Sequence, residues 1–171
     1  MTSQKEIIVV QPTILNLIVV QEIHLKPRRK QHALEEVRRQ IADLVREQGY
    51  RVSLATTGNR LWVTDEVGRL IQMDVKVSSC QVSKGGKYRY QAYIGRHDAD
   101  ILVFIAQSDK GDHLFVIPMA EIAPRRNIAI WGRDPSMYAG RWKPYLRSWE
   151  TLHKTIEATQ TQDELQLSLF E

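Results

Sequence analysis

The chain has 171 residues, with 24 lysines and arginines against 20 aspartates and glutamates and a net charge of +4. One compact domain is the expectation at this length, and a content of 43% hydrophobic and 26% charged residues excludes global disorder, collagen and coiled coil. The single cysteine, Cys80, excludes an internal disulfide framework and a multi-cysteine zinc site, and fits a reducing cytoplasm. From Ser148 onward one base, Lys154, stands against five acids, so the preceding part holds 23 bases and 15 acids. Its arginine-rich stretches, 26–60 and 125–147, suit a polyanionic partner, usually nucleic acid, or else a solubilising surface.

In chain order, the first segment carries two apolar runs, Ile7 to Val10 and Ile14 to Val20. Neither reaches the roughly 20 residues needed to span a bilayer, and no small-residue cleavage site marks a signal peptide. Residues 1–30 therefore read as an N-terminal arm that packs on a neighbouring chain or extends loosely, closed by the basic linker Lys26-Pro27-Arg28-Arg29-Lys30. A helix follows over 31–48, where Leu34, Val37, Ile41, Leu44 and Val45 recur at helical spacing and Gly49 supplies the C-terminal stop. Strands are expected over 50–55, 60–64 and 69–77, the last two joined by the turn Asp65-Glu66-Val67-Gly68. The loop 83–87 leads to a strand over 88–94. Residues 101–106 are apolar throughout, as in a strand buried on both faces. Strands over 114–117 and 127–131, a loop over 132–140, a helix over 143–159 and a loose polar tail over 160–171 complete an α+β layered domain spanning 31–159.

Two residues apart on one expected strand, Asp74 and Lys76 point to the same face. A carboxylate there can hold Mg²⁺, which favours oxygen ligands, and a lysine amine can orient a metal-bound water for attack on phosphorus. The pattern is common by itself, and its bland counterpart is a solvated strand face.

The surrounding order of elements resembles the PD-(D/E)xK nuclease superfamily, and within it the bacterial group I intron homing endonucleases. The features that carry the likeness are Gly49-Tyr50 at the end of the first helix, a hairpin running into Asp74-Val75-Lys76, the Tyr88-Arg89-Tyr90 strand, Asp100 before the apolar strand, Ile117-Pro118 after the next, and Trp142 and Trp149. The resemblance implies a restriction-endonuclease-like core, with a central mixed sheet flanked by helices, and a metal-dependent endonuclease of double-stranded DNA working with Mg²⁺ or Mn²⁺. It implies Asp74 as metal ligand, Lys76 as catalytic amine and Glu36 as accessory acid on the first helix. It also points to a homodimer or homotetramer.

One departure stands out. The superfamily's first motif places an aspartate on the strand before Asp-x-Lys, and that strand here reads Asn59-Arg60-Leu61-Trp62-Val63. A two-residue turn between Asp65 and Gly68 puts Asn59 opposite Asp74; a turn one residue later puts Leu61 there. Asn59 would offer a neutral carbonyl in the missing carboxylate's place. The alternative function is thus a catalytically weakened DNA-binding or assembly module that keeps the nuclease fold. Candidate DNA contacts are Arg28, Arg29, Lys30, Lys84, Lys87, Arg133, Arg141 and Lys143. Trp131, Tyr138, Trp142 and Tyr145 lie among the later ones, either as part of that surface or as core. Asp98 and Asp100 read as turn-forming residues.

Overall fold

A computed structural model describes residues 30–168 apart from Thr57 and Lys84, with side chains described over 34–159. The N-terminal arm, Arg28, Arg29, the Lys30 side chain and Lys84 lie outside the described residues.

Helix α1 (Lys30–Glu47) lays Val37, Ile41, Ala42 and Val45 into the core, the stripe its sequence spacing dictates. It ends at Gly49, which takes a φ of 90° and donates its N–H to the Arg46 carbonyl. Five strands form the main sheet: β1 (Arg51–Leu54), β2 (Arg60–Thr64), β3 (Leu70–Ser79), β6 (Ile101–Ser108) and β7 (Gly111–Pro118), in the order β1-β2-β3-β6-β7. β3 and β6 run parallel and the other neighbours antiparallel, so the sheet is mixed. A second sheet, ordered β4-β5-β8, is built from β4 (Gln81–Val82), β5 (Tyr88–Tyr93) and β8 (Asn127–Trp131). The short helix α2 (Met119–Ile122) follows β7, and α3 (Glu150–Ser168) closes the described chain.

The core has two layers. On one side of the main sheet, α1 and α3 pack Val37, Ile41, Leu152 and Ile156 against Leu61, Val63, Ile71, Met73, Val75, Val103 and Val116. On the other side, the small sheet presses Tyr90, Ala92, Ile128 and Ile130 onto Leu102, Phe104, Phe115 and Ile117, with Trp142 filling in beside them. β6 lies between both layers, and Ile101 through Ala106 are buried without a break, as its apolar run requires.

The last helix differs from its expected bounds. Residues 143–145 form a 3-10 turn, and α3 starts at Glu150 and continues to Ser168. No Gly or Pro interrupts residues 150–168, and Gln, Glu and Leu are good helix formers, so nothing local stops the helix at Thr159.

Two titratable side chains are locked into this framework. His113 on β7 is buried, and its nearest acid is Asp134, with 3.8 Å between His113 Nε2 and Asp134 Oδ1. Burial lowers its pKa from the usual 6.5, with Asp134 opposing the shift and Arg147 adding to it. Asp65 is buried as well; burial alone would raise its pKa, but bonds from the Arg69 backbone and guanidinium and from the Val67 N–H outweigh that and hold it below 3.8. For both groups the unfolded chain binds protons at a pH where the native protein does not, so stability falls on acidification. The first loss should begin as pH drops below about 6.5 and belong to His113; a second, in the carboxylate range, should be shared by Asp65 with the other carboxylates whose pKa is held down, Asp98 and Asp134 among them. Urea midpoints measured across pH should show the first phase vanish in His113→Gln. A near-neutral phase unchanged in that variant would assign it to another group.

Candidate functional site

Asp74 and Lys76 stand on β3 with side chains on the face opposite Ile71, Met73 and Val75. The small sheet covers β6 and β7 on this side, whereas Arg60, Trp62 and Thr64 of β2 and Gln72, Asp74 and Lys76 of β3 are only half-buried. The result is a polar, half-open strip beside a closed apolar layer. Lys76 Nζ lies 3.1 Å from Asp74 Oδ2, with the side chains 26% and 16% exposed.

The residue facing Asp74 across β2 is Arg60, so neither Asn59 nor Leu61 occupies that place. The reason lies in the turn. Pairing closes at Thr64 and Leu70, leaving the odd-numbered loop 65–69 between the strands. Asp65 organises that loop: its carboxylate accepts from the Val67 N–H at 3.1 Å and the Arg69 N–H at 2.8 Å and pairs with the Arg69 guanidinium. Gly68 turns the chain with a φ of 93°. A one-residue change of register exchanges the two faces of a strand, and here it brings a cation to the Asp74 face. Asn59 lies just outside β2 and contributes its backbone carbonyl to the Val75 N–H at 2.9 Å.

Arg60 knits the strip together. Its Nη1 donates to Gln72 Oε1 at 3.0 Å, and its Nη2 pairs with Asp98. That bond is the main cause of a raised Arg60 pKa and a lowered Asp98 pKa, and Asp74 adds to the Arg60 shift. Asp100 accepts the Gln72 N–H at 2.7 Å, and its own N–H donates to the Gln72 carbonyl at 2.9 Å. Three carboxylates therefore gather at this end of β3 and β6, each with a partner: Asp74 with Lys76, Asp98 with Arg60, Asp100 with Gln72. Asp98 and Asp100, expected to shape the turn before β6, join the strip; Arg60 and Asp98 were not legible as members because both depend on the hairpin register.

The other expected site residues are dispersed. Glu36 is exposed on α1, whose buried stripe packs on the opposite side of the sheet from Asp74. Arg133 pairs with Asp109 at 2.9 Å beyond the far end of β6. That end lies six residues along from Leu102, the neighbour of Asp74 in β6, or roughly 20 Å. Arg141 pairs with Glu121 at 3.4 Å and stacks over Trp142, 4.9 Å from guanidinium carbon to ring centroid. Lys143 donates to the Ser136 carbonyl at 2.8 Å, and Lys87 is exposed. The aromatic residues divide: Trp142 is buried, Tyr138 and Tyr145 pack against the second core cluster, and Trp131 is exposed.

This donor set does not fit a resident Mg²⁺ or Mn²⁺. Among the described residues, no group of three or more His, Cys, Asp or Glu side chains is placed to hold a metal ion. Asp74 also faces the Arg60 guanidinium in the place where a second carboxylate would be needed, and a fixed cation there opposes a divalent ion.

No protein-family model and no curated protein matches the chain. Among solved structures, the fold is similar to that of a bacterial homing endonuclease, I-Ssp6803I, with a TM-score of 0.52 and 20% sequence identity over 77% of this chain and 96% of that chain. No helix among the described residues is long and apolar enough to cross a membrane. The chain is a mixed α+β protein whose central sheet and flanking helices match a nuclease-like fold.

Proposed function

We propose that the protein is a duplex-DNA-binding module built on the homing-endonuclease plan, with hydrolysis weakened or lost. The observation that carries this is Arg60, which stands across from Asp74 and draws Asp98 into an ion pair where a phosphodiester-cleaving site needs free carboxylates. The likeness in fold to a DNA-cutting enzyme and the basic stretches support DNA as the partner. Binding as a homodimer or homotetramer would match the two-fold character of a duplex.

A second reading, a metal-dependent DNA endonuclease with a restriction-endonuclease-like core, is favoured by one observation. Asp74 and Lys76 share a face and touch at 3.1 Å, the pairing that the Asp-x-Lys pattern calls for.

A supercoiled plasmid separates the two. Purified protein should retard the plasmid and leave it intact in Mg²⁺ or Mn²⁺. Metal-dependent nicking that disappears in Lys76→Ala would establish the second reading instead. Failure to bind duplex at low salt would remove both.

A further inference from the structure

The outer face of the β4-β5-β8 sheet is turned away from the main sheet and takes no part in the Asp74 strip. Along β5 and β8 the alternation is clean. Tyr90, Ala92, Ile128 and Ile130 point into the core, while Arg89, Gln91 and Tyr93 on β5 and Asn127, Ala129 and Trp131 on β8 point out. The register sets Arg89 beside Trp131, Gln91 beside Ala129 and Tyr93 beside Asn127. Tyr93 is 59% exposed and Trp131 48%. Large aromatic residues on a solvent-facing sheet contribute little to the core, and their exposure marks an interaction surface.

The two strand segments that carry these rings bring cations and no acid of their own. Segments 87–96 and 125–133 contain Lys87, Arg89, Arg96, Arg125, Arg126 and Arg133 and no acidic residue. Lys87, Arg96, Arg125 and Arg126 are exposed. Arg133 is held by Asp109, from β6's connection to β7, and lies over the Tyr88 ring at 5.8 Å. Arg89 lies over the Trp131 ring, 5.6 Å from its centroid. The Tyr93 and Trp131 rows are four residues apart, roughly 13 Å along the strands.

We propose that this face is a second nucleic-acid surface, one that takes single-stranded DNA. Unpaired bases would stack on Tyr93 and Trp131 while the surrounding cations engage the phosphates. A duplex keeps its base faces inside the stack and offers phosphates, for which arginines alone suffice; exposed rings become useful when bases are unpaired. The exposed cations Lys87, Arg96, Arg125 and Arg126 give the complementarity that a polyanion requires. The inference concerns a different face from the Asp74 strip and stands independently of whether that strip engages duplex DNA.

The test is fluorescence anisotropy of labelled oligo-dT of about 15 nucleotides at low salt. Wild-type protein should bind it, and a Tyr93→Ala/Trp131→Ala double variant should bind at least about tenfold more weakly. Both residues are exposed, so the double variant should keep its urea midpoint. Trp131→Phe should retain most of the binding, because a ring is still present. Lys76→Ala should leave oligo-dT binding unchanged, which separates this surface from the β3 strip. No binding by the wild type, or equal affinity in the double variant, would overturn the proposal. So would concentration-dependent self-association of the wild type that the double variant loses, since that would assign the face to a second copy of the chain.

Discussion

Raising salt from about 50 to about 200 mM should weaken duplex binding by roughly a thousandfold, the loss expected when about six phosphates are neutralised and their counterions return. Not every basic residue should contribute equally. Arg133 and Arg141 are already paired with Asp109 and Glu121 and sit against aromatic rings, so reaching a phosphate would mean breaking those interactions. The linker Arg28-Arg29-Lys30 has three bases in succession and no acid among them. Replacing all three with alanine should reduce the slope of log affinity against log salt by roughly 0.9 for each phosphate that is no longer neutralised. Arg133→Ala and Arg141→Ala should change it less. An affinity independent of salt would remove phosphate neutralisation as the basis of binding, and a larger slope change for Arg133→Ala than for the linker would move the interface to the far end of β6.

The architecture was largely legible in the sequence because its signals are local and periodic. The α1 stripe, the unbroken apolar run of β6, the β8 edge strand and the stop at Gly49 are each specified by residues within one element. The face shared by Asp74 and Lys76 follows from strand alternation alone. What faces Asp74 was not legible, because it depends on the length of one loop. Asp65 binding two backbone N–H groups and the Arg69 side chain adds one residue to the turn, and that residue exchanges an asparagine for an arginine at the site. An aspartate at the start of a turn, four residues ahead of an arginine, was the available signal. The pairing of Arg60 with Asp98 joins residues far apart in sequence, so no spacing rule reaches it. The outward rings of Tyr93 and Trp131 became visible only once β5 and β8 were known to be neighbours.

Phe104→Ala should cost about 3–5 kcal/mol of folding stability, the range for deleting a fully buried phenylalanine. Phe104 is completely buried on the face of β6 that meets the small sheet, and its ring lies 6.3 Å from that of Phe115. It is held from both sides. Its backbone runs between β3 and β7, where it pairs with Lys76 and Phe115, so the strands cannot close around the lost volume without breaking ladder hydrogen bonds. Against a typical total of about 5–15 kcal/mol, that loss removes a large share of the native population. Because Phe104 is the β6 neighbour of Lys76, the small sheet's grip on β6 also sets the wall of the polar strip. Urea denaturation should show a lower midpoint in Phe104→Ala with an unchanged slope, whereas Trp131→Ala on the outer face of the same small sheet should fall within about 0.5 kcal/mol of wild type. Similar losses in the two variants would mean that the outer face is covered in the folded protein, and a small loss in Phe104→Ala would mean that the two sheets do not pack as a single core.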